Sequence, residues 1–142
     1  LYGERPLKGW WRPALIPHRV DGPFEAAGVG ITPIRQRHGP GDSLGFRIGD
    51  VAYSPDVDEL PEESVARLRG LDVWIVDALR ERPHPSHAHL ERTLAWIEEL
   101  RPKRAVLTHM SHEVDYAAWA AKLPEGVVPA HDGLVLEAAD PT

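Results

Sequence analysis

Residues 105–112, AVLTHMSH, form a short apolar run that ends in two histidines. A second apolar run, VWIV at 73–76, precedes it, and both runs are typical of strands buried on both faces of a sheet. Between them, residues 87–100 repeat leucine and isoleucine at helical spacing. This order of strand, helix and strand predicts an α/β fold with helices packed on a sheet.

Further elements are predicted on both sides of this unit. Residues 1–30 are rich in proline, glycine and tryptophan and are predicted to be loop with one or two short strands. Residues 31–37 alternate as a strand does, and GPGDS at 39–43 is predicted to be a turn. The other predicted strands cover 44–48, 51–54, 127–128 and 134–136, and the other predicted helices cover 61–69 and 114–122.

The composition limits the class of protein. The chain has 142 residues, a formal net charge of −6 and no cysteine. The lack of cysteine excludes disulfides and thiolate metal sites within the chain. The acidic balance argues against a nucleic-acid binder, whereas a phosphate substrate stays compatible because a metal ion can supply positive charge. No apolar run approaches the roughly 18 residues of a membrane span, so we predict no membrane partner. The lack of cysteine and of a targeting signal predicts a cytoplasmic protein.

The N-terminal segment, LYGERPLKGWW, starts at Leu1 rather than at a methionine. We therefore predict that 1–142 is a single domain unit that forms a piece of a longer polypeptide; processing of a complete protein is the alternative. Trp10 and Trp11 are expected to pack on the core, or to mark an interface if the chain is a binding module.

Three groups that can bind metal follow predicted strands. His38 and His109 end two strands, and Asp56 comes directly after a third. Two imidazoles and a carboxylate suit zinc, manganese or iron, and a carboxylate can bridge two ions. Asp77, which follows VWIV, is expected to orient an imidazole. Taken one at a time, His38 and His109 are more simply explained as surface or hydrogen-bonded histidines. The alternative for Asp56 and Asp77 is an ordinary turn residue.

The segment RPHPSHAHL at 82–90 places three histidines, His84, His87 and His89, in six residues. Ser86 is expected to cap the following helix, so that His87 and His89 fall in its first turn. A histidine there can donate a proton to a leaving group. A solvated polar loop is the alternative.

Together, five segments in order resemble the C-terminal half of the metallo-β-lactamase fold hydrolases. They are PIRQRHG (33–39), VAYSPD (51–56), VDALRERPHPSHAHL (76–90), AVLTHMSHEVDY (105–116) and AHDGLVLE (130–137). The branch that the chain resembles most contains the phosphoribosyl cyclic phosphate phosphodiesterase of the carbon–phosphorus lyase pathway. The resemblance implies an αββα sandwich, of which this chain supplies a mixed sheet with helices on one face.

The resemblance also implies a site with two divalent transition-metal ions, which are zinc or manganese, with iron as a further choice. It implies that His38 completes the first metal site, that Asp56 bridges both ions and that His109 binds the second. It assigns His87 as the catalytic histidine beside the leaving oxygen. Supporting positions are assigned to His112, Asp77, His84 and His89.

The activity that the resemblance implies is hydrolysis of a small or cyclic phosphodiester by a metal-activated hydroxide, in a protein that forms a homodimer. The family motif HxHxDH does not occur in this chain and is expected upstream of Leu1. Alternatives within the fold are a tRNA-processing endonuclease, a lactonase and a thiolesterase. The alternative of another class is a non-catalytic half-domain that acts as a binding module.

Overall fold

The computed structural model describes residues 17–137, and the predictions for Trp10, Trp11 and the rest of 1–16 and 138–142 lie outside the described residues. The strands are β1 (Phe24–Ala26), β2 (Val29–His38), β3 (Gly41–Ile48), β4 (Val51–Ser54), β5 (Val73–Asp77), β6 (Arg104–Thr108) and β7 (Val127–Pro129). The helices are α1 (Glu62–Arg67), α2 (Leu90–Leu100) and α3 (Tyr116–Lys122). None of the helices in the described residues is long and apolar enough to cross a membrane.

All seven strands form one sheet in the order of the sequence. Strands β1 to β4 pair antiparallel, and β4 to β7 pair parallel, which confirms the predicted mixed sheet. Each strand of the parallel part is reached from the previous one through a helix, and all three crossovers run in the same direction. Because such crossovers are right-handed, α1, α2 and α3 lie on one face of the sheet.

The core lies between this face and the helices. Trp74 of β5 is fully buried, and its indole N–H donates to the Ser54 hydroxyl at 3.0 Å. Its ring centroid lies 6.5 Å from that of Trp96 on α2. Val76 and Leu107 point to the same side, because side chains alternate along strands, and both are fully buried. Burial of these large apolar side chains holds the helices on the sheet.

The opposite side of the sheet carries apolar side chains that remain exposed, and we call it the open face. Six side chains from β1 to β4 line a groove there: Phe24, Ile31, Phe46, Ile48, Val51 and Tyr53. Tyr53 is 44% exposed, whereas its neighbours Ala52 and Ser54 on the helix side are buried. A continuous apolar patch of this kind is typical of a surface that packs against another element.

The helix predicted for 87–100 begins later, at Leu90. The Ala88 N–H donates to the Val57 carbonyl at 2.6 Å, and the Leu90 N–H donates to the Arg80 carbonyl at 2.9 Å. A helix that began at 87 would pair the Leu90 N–H with the Ser86 carbonyl and would use the Ala88 carbonyl for a later turn. The Leu90 N–H is instead bonded to Arg80, and the Ala88 carbonyl accepts from the Leu79 N–H at 2.9 Å, so the segment before Leu90 is not helical.

Two other predictions were wrong in detail. The predicted turn at 39–43 is shorter, because β3 already begins at Gly41, which pairs with His38. Residues 134–136 were predicted to be a strand and are not one. Val135 is 82% exposed, and in the described part of the chain no strand follows β7 along the edge of the sheet. The apolar residues there lack a neighbour to pair with.

Replacing Trp74 by alanine is expected to lower the free energy of unfolding by about 3–5 kcal/mol, because it opens a cavity in the helix-side core. The matched control is Val135→Ala, because Val135 is exposed. This substitution is expected to change the free energy of unfolding by less than about 0.5 kcal/mol. Chemical denaturation of both variants measures the difference. Equal stability of the two variants would contradict the position of Trp74 in this core.

Candidate metal centre

Four groups that can bind or orient a metal lie at one edge of the sheet. Asp77 ends β5, Asp56 follows β4 by two residues, and His109 directly follows β6. These three strands are parallel, so their carboxyl ends share an edge. Strand β2 runs the same way, because two antiparallel pairings separate it from β4, and its last residue, His38, lies at that edge as well.

The structure brings the predicted groups together around Asp56. Ligand atoms of His38, Asp56 and His87 all lie within 4.8 Å of one another. His109 joins them, with its Nε2 3.4 Å from Asp56 Oδ1. The rings of His87 and His109 are stacked, with centroids 4.8 Å apart. His87, predicted to be a proton donor, therefore lies as close to the possible ion position as the predicted ligands do.

Hydrogen bonds orient two of the imidazoles. Nδ1 of His38 lies 2.6 Å from the Ser86 carbonyl. A carbonyl only accepts, so this Nδ1 carries the proton and the lone pair of the ring is on Nε2. Nδ1 of His87 lies 2.8 Å from Oδ2 of Asp77, and it donates to this oxygen when the Asp77 carboxyl is ionised. Imidazoles that bind metals are usually held by such a bond at the other ring nitrogen.

Burial governs the charges in this part of the site. Asp77 is fully buried, its Oδ2 also accepts from the Val57 N–H at 3.2 Å, and its Oδ1 has no partner among the described residues. Burial raises the pKa of the Asp77 carboxyl to about 7, although the bond from Val57 opposes the rise. Burial, followed by the nearby His38, lowers the pKa of His87. The neutral imidazole therefore dominates at pH 7, which is the form that binds metal ions.

The backbone at the site is strained. Asp56 has φ of +49° and His109 has φ of +60°, in the left-handed region that residues other than glycine seldom adopt. Strained backbone conformations are frequent at functional sites, where contacts with the surrounding structure maintain them. At Gly39, with φ of +58°, an added Cβ would lie 2.9 Å from the Ser86 Cβ. Glycine at this position thus allows the close approach that brings the Ser86 carbonyl to His38.

The remaining predicted histidines lie at different distances from this cluster. The ring of His84 is 5.1 Å from that of His87, and its Nδ1 accepts from the Ser86 N–H at 3.3 Å. His89 occupies the N-cap position of α2, so the prediction that Ser86 caps this helix, with His87 and His89 in its first turn, was wrong. His112 is exposed and makes no hydrogen bond within residues 17–137.

An ion-pair link that the sequence did not reveal joins the two loops of the site. Arg80 and Arg82 both bind the Glu113 carboxylate, at 2.8 and 2.6 Å. The arginines follow β5 and the glutamate follows β6, so the link ties the loop of His84 and His87 to the loop after His109. Because its partners are partly exposed, we expect it to orient the loops more than to stabilise the fold.

The donor set fits a divalent transition metal. Imidazole nitrogens with a carboxylate suit zinc, manganese and iron. In His38 and His87 the Nδ1 atom is hydrogen-bonded, which leaves Nε2 for an ion. Asp56 has two carboxylate oxygens, and the imidazoles of His38, His87 and His109 lie close to it. In the described residues this set supplies part of the ligands that two ions need, since each ion binds at least four.

The raised pKa of Asp77 predicts a pH dependence of stability. The folded protein holds this proton more tightly than the unfolded chain, so the stabilisation is complete below about pH 4 and is lost as the pH rises toward 7. Over this pH range the free energy of unfolding should fall more steeply for the wild-type protein than for Asp77→Asn. The two slopes should differ by on the order of 1 kcal/mol per pH unit. Denaturation of both proteins in chelator at pH 4.5 to 7 measures this; equal losses would contradict it.

Comparisons with known proteins support the fold. The family described as beta-lactamase superfamily domain matches residues 7–110. A new diphosphatase from the PhnP family has a similar structure, with a TM-score of 0.84 and 35% identity over 87% of this chain and 49% of that chain. An octanoyltransferase from Porphyromonas gingivalis is 28% identical over 136 residues, which is 94% of this chain and 28% of that protein.

A second solved structure supports the same fold. The metallo-β-lactamase fold protein YhfI from Bacillus subtilis has a TM-score of 0.70 and 21% identity, over 85% of this chain and 54% of that chain. The chain therefore spans about half the length of both similar structures. The mixed sheet, the helices on one face and the family match over most of the sequence agree with one another. The chain belongs to the beta-lactamase superfamily domain family and has the metallo-β-lactamase fold that the resemblance implied.

Proposed function

We propose that the protein is a metal-dependent hydrolase that cleaves a small or cyclic phosphodiester. One observation carries the proposal: His38, Asp56 and His87 present ligand atoms within 4.8 Å of one another, with His109 beside them, at the carboxyl edge of the sheet. The PhnP-family diphosphatase, whose sequence is 35% identical to this chain, supports chemistry at phosphorus.

The proposed cofactors are two divalent ions of zinc, manganese or iron. His38 and Asp56 would hold one ion, and Asp56 and His109 the other, because a carboxylate can offer one oxygen to each. Ions bound there would supply a lowered pKa for water and positive charge beside the phosphoryl oxygens. Asp56 therefore has the central role, since removing its charge would weaken both positions.

We propose that His87 donates a proton to the oxygen that leaves phosphorus. Its Nδ1 is engaged by Asp77, so Nε2 is the atom that can exchange a proton with the substrate or bind an ion. Because burial lowers the pKa of His87, the protonated form is a minority at pH 7 and grows as the pH falls. The nearby charges of Asp56 and Asp58 oppose this lowering of the pKa and favour the protonated ring.

The proposed substrate is small. The net charge of −6 disfavours a long nucleic acid, which needs a basic surface. Arg80 and Arg82 are the cations beside the loop of His87, and both are paired with Glu113. The substrate would then depend on the metal ions for most of its charge neutralisation. A homodimer and a cytoplasmic location remain part of this proposal.

We further propose that an upstream half of the protein completes the site. The chain spans about half the length of the similar structures, and the open face is apolar and exposed. A second sheet on that face would bury Phe46 and Tyr53, and an HxHxDH motif carried by it would supply the ligands that the described residues lack. In this arrangement both halves contribute to each ion.

Other activities have less support. The octanoyltransferase matches this chain over only 28% of its own length, so its name describes a much larger protein. A human tRNase Z, short form, is 19% identical with a TM-score of 0.63, which supports the fold alone. A lactonase, a thiolesterase and a non-catalytic binding module remain the alternatives, and the presence of bound metal separates the last from all the enzymes.

Two substitutions in the full-length protein test the proposal. His87→Ala should keep its metal and slow hydrolysis of bis(p-nitrophenyl) phosphate by about 10²–10⁴-fold, because it removes the proton donor. Asp56→Asn should lose metal and activity together, because it weakens both positions. His18→Ala, an exposed histidine outside the cluster, is the control. Metal content by elemental mass spectrometry and turnover are measured on the same samples.

Each other result has a definite meaning. Loss of metal in His87→Ala would assign this residue as a ligand instead of a proton donor. Turnover of His87→Ala equal to that of wild type would remove it from the reaction. A wild-type protein that neither binds metal nor cleaves the ester would contradict the proposed function and favour a binding module.

A further inference from the structure

The backbone of Asp56 is held in a conformation that an aspartate adopts only at a cost. Its φ of +49° lies in the left-handed region. The direction of the carboxylate depends on this backbone, and the carboxylate is what faces His38 and His109. A relaxed backbone would turn the carboxylate away from the imidazoles, so contacts that hold the backbone determine the geometry of the metal centre.

Two polar side chains from neighbouring strands supply such contacts. The side-chain amide of Gln36, on β2, donates to the Pro55 carbonyl at 2.7 Å. The hydroxyl of Ser43, on β3, donates to the Asp56 carbonyl at 2.7 Å. These carbonyls belong to the peptide groups on either side of the Asp56 Cα. Holding both groups restrains φ and ψ of Asp56 together.

Gln36 and Ser43 form one connected unit. They are directly opposite each other on the paired strands, and the Gln36 amide lies 3.3 Å from the Ser43 hydroxyl oxygen. Gln36 reaches Pro55 by passing Gly45, where an added Cβ would collide with the Gln36 amide oxygen and lie 2.7 Å from the Tyr53 carbonyl. Glycine at 45 therefore leaves the space that this side chain needs.

Packing alone does not explain a glutamine at this position. Gln36 is fully buried, and its Oε1 has no hydrogen-bond partner among the described residues. A buried amide with an unpaired oxygen costs free energy that an apolar side chain of similar size would not. The contribution of Gln36 lies in the bond that its N–H makes to Pro55.

We propose that Gln36 and Ser43 are positioning residues for Asp56, which hold its backbone so that the carboxylate faces the imidazoles of the metal centre. Neither side chain belongs to the ligand set. The inference rests on the proposed function and deepens it, because it assigns the geometry of the central ligand to two residues of the adjoining hairpin.

A matched control separates a positioning role of Gln36 and Ser43 from a role in stability alone. Ser64 of α1 is also buried, and its hydroxyl donates to a backbone carbonyl of β2, that of Arg35. Ser64→Ala therefore removes the same kind of bond from the same sheet without touching Asp56. Ser43→Thr keeps the hydroxyl and is the conservative variant.

The test is the affinity of the full-length protein for Zn²⁺, measured by competition with a chromophoric chelator, beside the stability of each metal-free variant. Ser43→Ala and Gln36→Met should bind Zn²⁺ about 10–100-fold more weakly, as expected when a partner of a metal ligand is removed. Ser43→Thr should restore the affinity, and Ser64→Ala should bind as wild type does even where it is less stable.

The failures of the two proposals are distinguishable. If wild type binds no Zn²⁺, the metal centre and this inference both fall. If wild type binds Zn²⁺ and Ser43→Ala binds equally well, this inference alone is overturned. Equal loss of affinity in Ser43→Ala and Ser64→Ala would also overturn it, because the effect would then follow general stability. If Gln36→Met does not fold, the Zn²⁺ affinity of Ser43→Ala still tests the positioning role.

Discussion

Parallel pairing of β4, β5 and β6 brings the carboxyl ends of three strands to one edge of the sheet, and the hairpin of β2 and β3 returns a fourth strand end there. The helices can connect these strands only by right-handed crossovers, so they cover one face and leave the loops free at the edge. Asp56, Asp77, His109 and His38 therefore converge although up to 71 residues separate them in sequence, from 38 to 109.

The candidate site contains backbone conformations and buried polar groups that are unfavourable for the free energy of folding. The left-handed φ of Asp56 and His109 is unfavourable, and the buried carboxyl of Asp77 has an oxygen without a partner in the described chain. The helix-side core around Trp74 supplies the stability that offsets these costs. This distribution agrees with the proposal that the edge with the candidate site is built for geometry and the helix-side layers for stability.

Much of the fold could be predicted from local pattern. The continuous apolar runs of β5 and β6 predicted buried strands. Residues that follow strands in an α/β sheet were the candidates for a site, and His38, Asp56 and His109 lie close together in the structure. The start of α2 could not be predicted, because the backbone of Ala88 bonds to Val57, far away in sequence. The contacts of Gln36 and Ser43 with the Asp56 turn are hidden for the same reason: they arise from strand pairing, which no short segment encodes.

The open face and the incomplete ligand set can be explained together by the proposed upstream half. The apolar sheet face is exposed in the described residues, and the candidate metal centre has part of the ligands that two ions need. A single upstream half would account for both features. The rings of His87 and His109 are stacked, so their roles under this proposal would depend on where ions bind relative to them.

The most direct test of this account is anomalous X-ray diffraction from crystals of the full-length protein grown with Zn²⁺, with data collected on both sides of the zinc absorption edge. The account predicts a strong anomalous peak within coordination distance of His38 Nε2 and the Asp56 carboxylate. A folded protein with full diffraction and no anomalous peak between these residues would contradict it.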